Sequence, residues 1–129
     1  MKNIERAREW FQRARSNMAR AKAGKLSHEV LYEDLCYDAQ QAAEKALKSL
    51  CILHGILFPR THDIAYLIEL IEKRGVHIPE EVHKARVLTG YAVETRYPGD
   101  YAPVNEDDFL KAVDTAEKVV NWVESKLQE

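Results

Sequence analysis

The segment from Thr95 to Tyr101 places a permanent cation, two phenols and a carboxylate within seven residues. Arg96 can grip a phosphate through paired hydrogen bonds, and the rings of Tyr97 and Tyr101 can stack on a nucleobase. A proline and a glycine follow Tyr97, so we expect these side chains to lie on a turn-bearing insert between helices. The alternative is structural: Arg96 pairs with a carboxylate and fixes the loop, while the tyrosines pack on helix ends.

Two further sets of polar residues are candidates for the site. One set precedes a predicted helix, and the other lies within a predicted helix. His62 stands between Thr61 and Asp63, where it could act as a general base or contact a phosphate at a helix start. The same cluster could instead cap the helix and fix a loop. Gln40, Gln41, Glu44 and Lys45 could line the same cleft if the second helix is central. Alternatively, Gln41 and Lys45, which lie one turn apart, could form a solvated face.

The sequence gives no reason to expect a metal or a cofactor. Cys36 and Cys51 fall on one predicted helix about 22 Å apart, which is too far for a disulfide, and we expect two buried thiols. Neither a Cys-x-x-Cys pair nor a glycine-rich phosphate loop is present. The other histidines are scattered and form no pair with ligand spacing: His28, His54, His77 and His83.

Length and composition predict one helical domain over residues 1–129. The chain is 46% hydrophobic and 31% charged, with only five glycines and four prolines, which excludes a disordered chain. No apolar run reaches the roughly 18 residues of a membrane span, and the N-terminus lacks a signal-peptide core. We therefore expect a cytoplasmic protein that does not enter a membrane.

The charge is distributed unevenly, although the net charge is only -2. Residues 1–25 hold eight basic and two acidic side chains, and residues 100–129 hold eight acidic and three basic ones. The first helix could therefore attract phosphate. The alternative is that the basic and acidic helices lie side by side and neutralise each other.

Apolar periodicity predicts an all-α, antiparallel up-and-down bundle of about five helices. We expect the first from about Asn3 to Lys22 and the second from near Ser27 to His54. The third runs from about Asp63 to Lys73, and the fourth begins at Pro79 and fades between residues 89 and 95. The last is expected from about Asn105 to Leu127. The alanine-rich stripe of the second helix indicates a central position.

Together, these segments resemble the HEPN family of small prokaryotic helical proteins. The resemblance rests on Asp38–Lys48, on Phe58–Asp63 and on Thr95–Tyr101, in that order. It implies a helical bundle, commonly a homodimer, often paired with a minimal nucleotidyltransferase in toxin–antitoxin modules. Several members are ribonucleases with an Arg-x(4–6)-His motif. No arginine of this chain is followed by a histidine at that spacing. Four residues separate Arg96 from Tyr101, so Tyr101 takes the place of the histidine, and its phenol is a poor base at neutral pH.

The resemblance therefore favours a nucleotide- or RNA-binding module that acts as a homodimer with a nucleotidyltransferase. We expect its ligand to be bound by Arg96, Tyr97, Tyr101, His62, Gln41 and Lys45. One alternative is a metal-independent ribonuclease with an atypical site, and another is a purely structural adaptor. Trp10, Tyr32, Tyr37 and Leu57 lie at or beyond the edges of the predicted core stripes, which also points to a dimer.

Overall fold

The computed structural model describes residues 2–92 and 103–129, and the described part is helical. The helices are α1 (Lys2–Ala23), α2 (Tyr32–Leu53), α3 (Ile64–Lys73), α4 (Glu80–His83) and α5 (Glu106–Leu127). A 3₁₀ helix, Lys84–Ala92, continues directly from α4. The prediction of an all-α bundle of about five helices is confirmed.

Side-chain contacts show how the long helices run. Arg15 and Lys22 of α1 pair with Glu124 and Glu117 of α5, so residue numbers rise along one helix as they fall along the other. Arg20 and Asn17 reach Asp38 near the start of α2, whereas Trp10 lies beside Lys48, ten residues further along α2. Helix α1 is therefore antiparallel to both α2 and α5.

Helix α2 is the centre of the bundle, as its alanine-rich stripe predicted. It packs against α1, α3, α5 and the 3₁₀ helix. Its alanines are small enough for neighbouring backbones to approach closely, and Ala39, Ala42, Ala43 and Ala46 are fully buried. Cys36 and Cys51 are also buried, and burial, partly opposed by Lys48, raises the pKa of Cys51 to about 12.

Local sequence signals account for most helix ends. Gly24 and Gly55 follow α1 and α2 with φ of 71° and 68°, the left-handed region that favours glycine. Asn105 and Asp108 form a reciprocal capping box at the start of α5. Asp63 caps α3 by accepting a hydrogen bond from the backbone N–H of Tyr66.

Two predicted boundaries were wrong. Helix α2 begins at Tyr32 rather than near Ser27, because the Ser27 hydroxyl accepts from the N–H of Glu29 and closes a separate turn. The fourth helix is α-helical only as far as His83. The segment after it contains β-branched residues and a glycine, which disfavour the α-helix, and it continues as the 3₁₀ helix.

Candidate functional site

A buried carboxylate lies at the centre of the candidate site. Glu44, in the middle of α2, has a side chain only 3% exposed. Its Oε2 accepts a hydrogen bond from Lys48 Nζ at 2.8 Å. Its Oε1 accepts from the amide nitrogens of Gln40 and Gln41, at 3.1 and 3.2 Å, and contacts His62 Nδ1 at 2.8 Å. We call Gln40, Gln41, Glu44, Lys48 and His62 the Glu44 cluster.

The donors around Glu44 keep it ionised despite its burial. Burial alone would raise the pKa of the Glu44 carboxyl, but hydrogen bonds from Lys48, Gln40 and His62, together with the Lys48 charge, lower it. An ionised carboxylate only accepts hydrogen bonds, so His62 Nδ1 carries the proton in this contact. Glu44 thereby fixes the orientation of the ring through Nδ1, and Nε2 is the ring nitrogen that Glu44 does not contact.

His62 links the buried cluster to the surface. Its side chain is 48% exposed, whereas its partner Glu44 is almost fully buried. The backbone carbonyl of His62 also accepts from Gln40 Nε2 at 3.3 Å. An oriented histidine at the surface, two residues before α3, can bind an anion or transfer a proton.

A second polar network lies along the contact of α1 and α2. Lys45 Nζ donates to Asn17 Oδ1 at 2.8 Å, and the Asn17 amide donates to Asp38 Oδ1 at 3.0 Å. Asp38, which is buried, also pairs with Arg20 Nε at 3.4 Å. Burial and the charge of Arg13 lower the pKa of Lys45, although the charges of Glu44 and Asp38 oppose this shift.

The structure brings some of the predicted site residues together and separates another. Gln41 and His62 share the Oε1 atom of Glu44. The ammonium of Lys45 instead contacts Asn17 of α1, although Lys45 follows Glu44 directly. Arg96, Tyr97 and Tyr101 fall within residues 93–102, outside the described part of the chain.

Sequence reasoning did not single out Lys48, which joins the Glu44 cluster to an aromatic pair. Its Nζ lies 5.8 Å from the ring centre of Trp10 and 5.6 Å from that of Phe58. These two rings meet edge to face, with centres 6.4 Å apart. The available signal was the spacing of Gln40, Glu44 and Lys48, which puts three polar side chains on one line of a central helix.

Two properties of the described residues, 2–92 and 103–129, bear on the kind of site. They contain no group of three histidine, cysteine or acidic side chains that could hold a metal ion. None of their helices is long and apolar enough to cross a membrane.

Comparisons with known proteins identify relatives over nearly the whole chain. A Methanocaldococcus jannaschii protein named "Putative toxin MJ1304" is 28% identical, and the alignment covers 98% of this chain and 91% of that protein. The crystal structure of TT1696 from Thermus thermophilus matches with a TM-score of 0.79 and 34% identity, covering 94% of this chain and 98% of that one. The crystal structure of ST0689, described as an archaeal HEPN homologue, matches with a TM-score of 0.74 and 28% identity, covering 94% and 97%.

The family assignment rests on a direct match as well as on these relatives. The model of the HEPN domain matches residues 7–126. The matched range extends from the first turns of α1 to the last turn of α5, and therefore includes every residue of the Glu44 cluster. The chain belongs to the HEPN domain family.

Proposed function

We propose that this chain is a nucleotide- or RNA-binding HEPN module that acts as a homodimer beside a minimal nucleotidyltransferase, in a toxin–antitoxin-like pair. The observation that carries the proposal is the contact between buried Glu44 and half-exposed His62, which holds an imidazole in one orientation at the surface. A relative named as a toxin supports the toxin–antitoxin setting.

In this proposal, His62 and Arg96 contact phosphate, and Tyr97 and Tyr101 contact the base or ribose. A hydrogen bond between the described helices supports this grouping: the Thr89 hydroxyl accepts from the N–H of Ile64 at 3.2 Å. Thr89 lies seven residues before Arg96, and Ile64 lies two residues after His62. Thr89 therefore lies close to the start of α3.

Gln41 and Lys45 have indirect roles in the proposal. Gln41 is buried and donates to Glu44, so it helps to hold the carboxylate that orients His62. Lys45 is half-buried and donates to Asn17, so it contributes positive potential beside the cluster.

The test is to compare Arg96→Ala and His62→Ala with the parent chain in fluorescence anisotropy with labelled single-stranded RNA and with nucleotides. Loss of one charge-assisted hydrogen bond should weaken binding by about 1.5 to 3 kcal/mol in either variant, and the melting temperature of Arg96→Ala should barely change. Lys73→Ala, which removes one exposed cation on the far part of α3, should bind normally. A large fall in melting temperature with unchanged binding would show that Arg96 has a structural role.

A second candidate, a metal-independent ribonuclease, is favoured by the same Glu44–His62 contact, since a carboxylate that orients a histidine is a common arrangement for a general base. RNA cleavage in the presence of a chelator, abolished by both His62→Ala and Tyr101→Phe, would favour the enzyme over the binding module.

The proposed homodimer is supported by exposed apolar side chains around the turn between α1 and α2. Leu26 is 85% exposed and Leu31 54% exposed. Leu31 also occupies the N-cap of α2, where serine, asparagine or aspartate is favoured, and it makes no side-chain capping bond. By contrast, two of the side chains expected at the edge of the core have aromatic partners within the chain: Trp10 meets Phe58 edge to face, and Tyr32 stacks on Phe109.

Light scattering should give twice the chain mass of 14.9 kDa at micromolar concentration. Leu31→Asp should reduce it to the mass of one chain while stabilising the chain's own helix start. Val87→Asp, at a more exposed apolar position on the 3₁₀ helix, should leave the dimer intact. A parent chain that elutes as a monomer contradicts the homodimer.

A further inference from the structure

The two sides of α1 differ in how their positive charge is used. On one side, Arg15 and Lys22 form ion pairs with the acidic helix α5, which confirms that the basic and acidic helices partly neutralise each other. On the other side, Arg6 and Arg13 lie seven residues apart, and neither forms an ion pair with any described residue. Seven residues span two turns, so these two guanidinium groups project from one side, about 10.5 Å apart along the helix axis.

That second side borders α2. Arg20, one further heptad along, reaches Asp38 of α2 and ends the unpaired stretch. Arg13 lies close enough to Lys45 for its charge to act on the Lys45 ammonium. Glu5 and Glu9 are the nearest acids in the sequence, and within the described part of the chain neither forms an ion pair with Arg6 or Arg13. We call Arg6, Arg13 and Lys45 the basic seam.

A cavity lies at the Arg6 end of the seam. It has a volume of about 330 Å³, and its lining includes Asn3, Arg6, Trp10, Phe58 and apolar groups at and just beyond the end of α2. This volume is at the small end of ligand-binding cavities. The half-buried rings of Trp10 and Phe58 give it an aromatic wall, and Lys48 connects that wall to Glu44.

We infer that the seam between α1 and α2 binds single-stranded RNA, with phosphates on Arg6, Arg13 and Lys45 and one base inserted against Trp10 and Phe58. The inference rests on the proposed function and extends it, because it places the strand on residues of α1 and α2 that the proposed function does not assign to direct ligand contact. Cations spaced along a groove and an aromatic ring for stacking are the two elements of sequence-tolerant single-strand binding.

An acidic protein segment is the competing occupant, and the cavity argues against it. Carboxylates would satisfy the cations of the seam, but a flat aromatic ring is what fits against Trp10 beside a guanidinium. Lys48 makes both kinds of contact within the chain, because its ammonium donates to the Glu44 carboxylate and also lies near the rings of Trp10 and Phe58.

The experiment compares two double variants that remove the same charge from the same helix. Arg6→Ala/Arg13→Ala removes the unpaired side, and Arg15→Ala/Lys22→Ala removes the side paired with α5. Binding of a labelled 12-nucleotide single-stranded RNA is measured by anisotropy over a range of salt concentrations. We expect the first variant to bind at least tenfold more weakly, with a salt slope reduced by about 1.4, since each single-strand phosphate contact contributes about 0.7. The second should bind within about twofold of the parent chain.

The aromatic part of the inference has its own readout. Trp122→Phe leaves Trp10 as the sole tryptophan of the chain, and RNA should quench its emission by stacking. Four results would each overturn the inference. The two double variants could lose binding equally, or Arg6→Ala/Arg13→Ala could bind RNA as tightly as the parent chain. RNA could leave the emission of Trp10 unquenched, or polyglutamate could compete as strongly as unlabelled RNA. A parent chain that binds neither RNA nor nucleotide overturns the proposed function too, whereas binding retained without Arg6 and Arg13 overturns the seam alone.

Discussion

Replacing Glu44 with glutamine tests the buried cluster most severely. The glutamine has the same shape, but it removes the charge that balances Lys48, whose side chain is only 9% exposed. Either orientation of the new amide turns its NH₂ group towards a donor, because Lys48 approaches one oxygen of Glu44 and His62, Gln40 and Gln41 approach the other.

The expected loss is large for a change of this size. Breaking one partner of a buried ion pair costs about 3 to 5 kcal/mol. Since His62 is half exposed and can regain contact with water, most of the cost comes from Lys48, and we expect about 3 kcal/mol in the free energy of unfolding. Glu69→Gln breaks an exposed pair with Lys73 at 3.1 Å and should cost less than about 0.5 kcal/mol.

Urea denaturation at a fixed protein concentration, which holds any dimer contribution constant, measures both variants. A double-mutant cycle then isolates the pair: Lys48→Met in the Glu44→Gln background should recover at least about 1.5 kcal/mol, because it removes the unpaired buried ammonium. A cost below about 1 kcal/mol for Glu44→Gln, or strictly additive effects in the cycle, would refute this account of the cluster.

Two further predictions concern pH and helix capping. The folded-state pKa of Glu44 is lowered from its ordinary value of 4.5. The stabilisation that Glu44 contributes is therefore complete above pH 4.5 and is lost as the pH falls through the folded pKa. Thermal melts between pH 7 and pH 3 should show a steeper acid destabilisation for the parent chain than for Glu44→Gln. Asn105→Ala removes the capping box of α5 and should lower the free energy of unfolding, measured in urea, by about 1 kcal/mol. Asn121→Ala, at an exposed position inside the same helix, should be neutral or slightly stabilising. Equal costs for the two variants would contradict the assigned cap.

The helices could be predicted from the sequence because their signals are local. The capping residues of α5, the glycines after α1 and α2, and the apolar line from Phe109 to Leu127 each act within a few residues. The start of α2 was missed for the same reason, since Ser27 carries a strong local capping signal that the chain uses for a separate turn. Leu31, which starts the helix, carries no such signal.

The site could be predicted only in part, because it depends on contacts between distant segments. Gln41 and His62 were recognised as polar residues in suitable positions, but the sequence does not show that they meet on one oxygen of Glu44. Nor could it show that Lys48 is buried against Trp10 and Phe58, which lie 38 residues earlier and ten residues later. Arg15 pairs with Glu124 of α5, whereas Arg13, two residues earlier, lies near Lys45 of α2. This difference likewise follows from which helix packs on each side of α1.

The most direct test of the central claim is to titrate the isotope-labelled chain with a short single-stranded RNA and to follow backbone amide shifts by NMR. We predict that the amides of His62, Arg96, Tyr97 and Tyr101 shift in a saturable manner, while those at the far end of α5 do not move. Saturable shifts confined to other surfaces, or no shifts at millimolar RNA, would contradict the proposal that this HEPN protein binds nucleic acid through the site beside the Glu44 cluster.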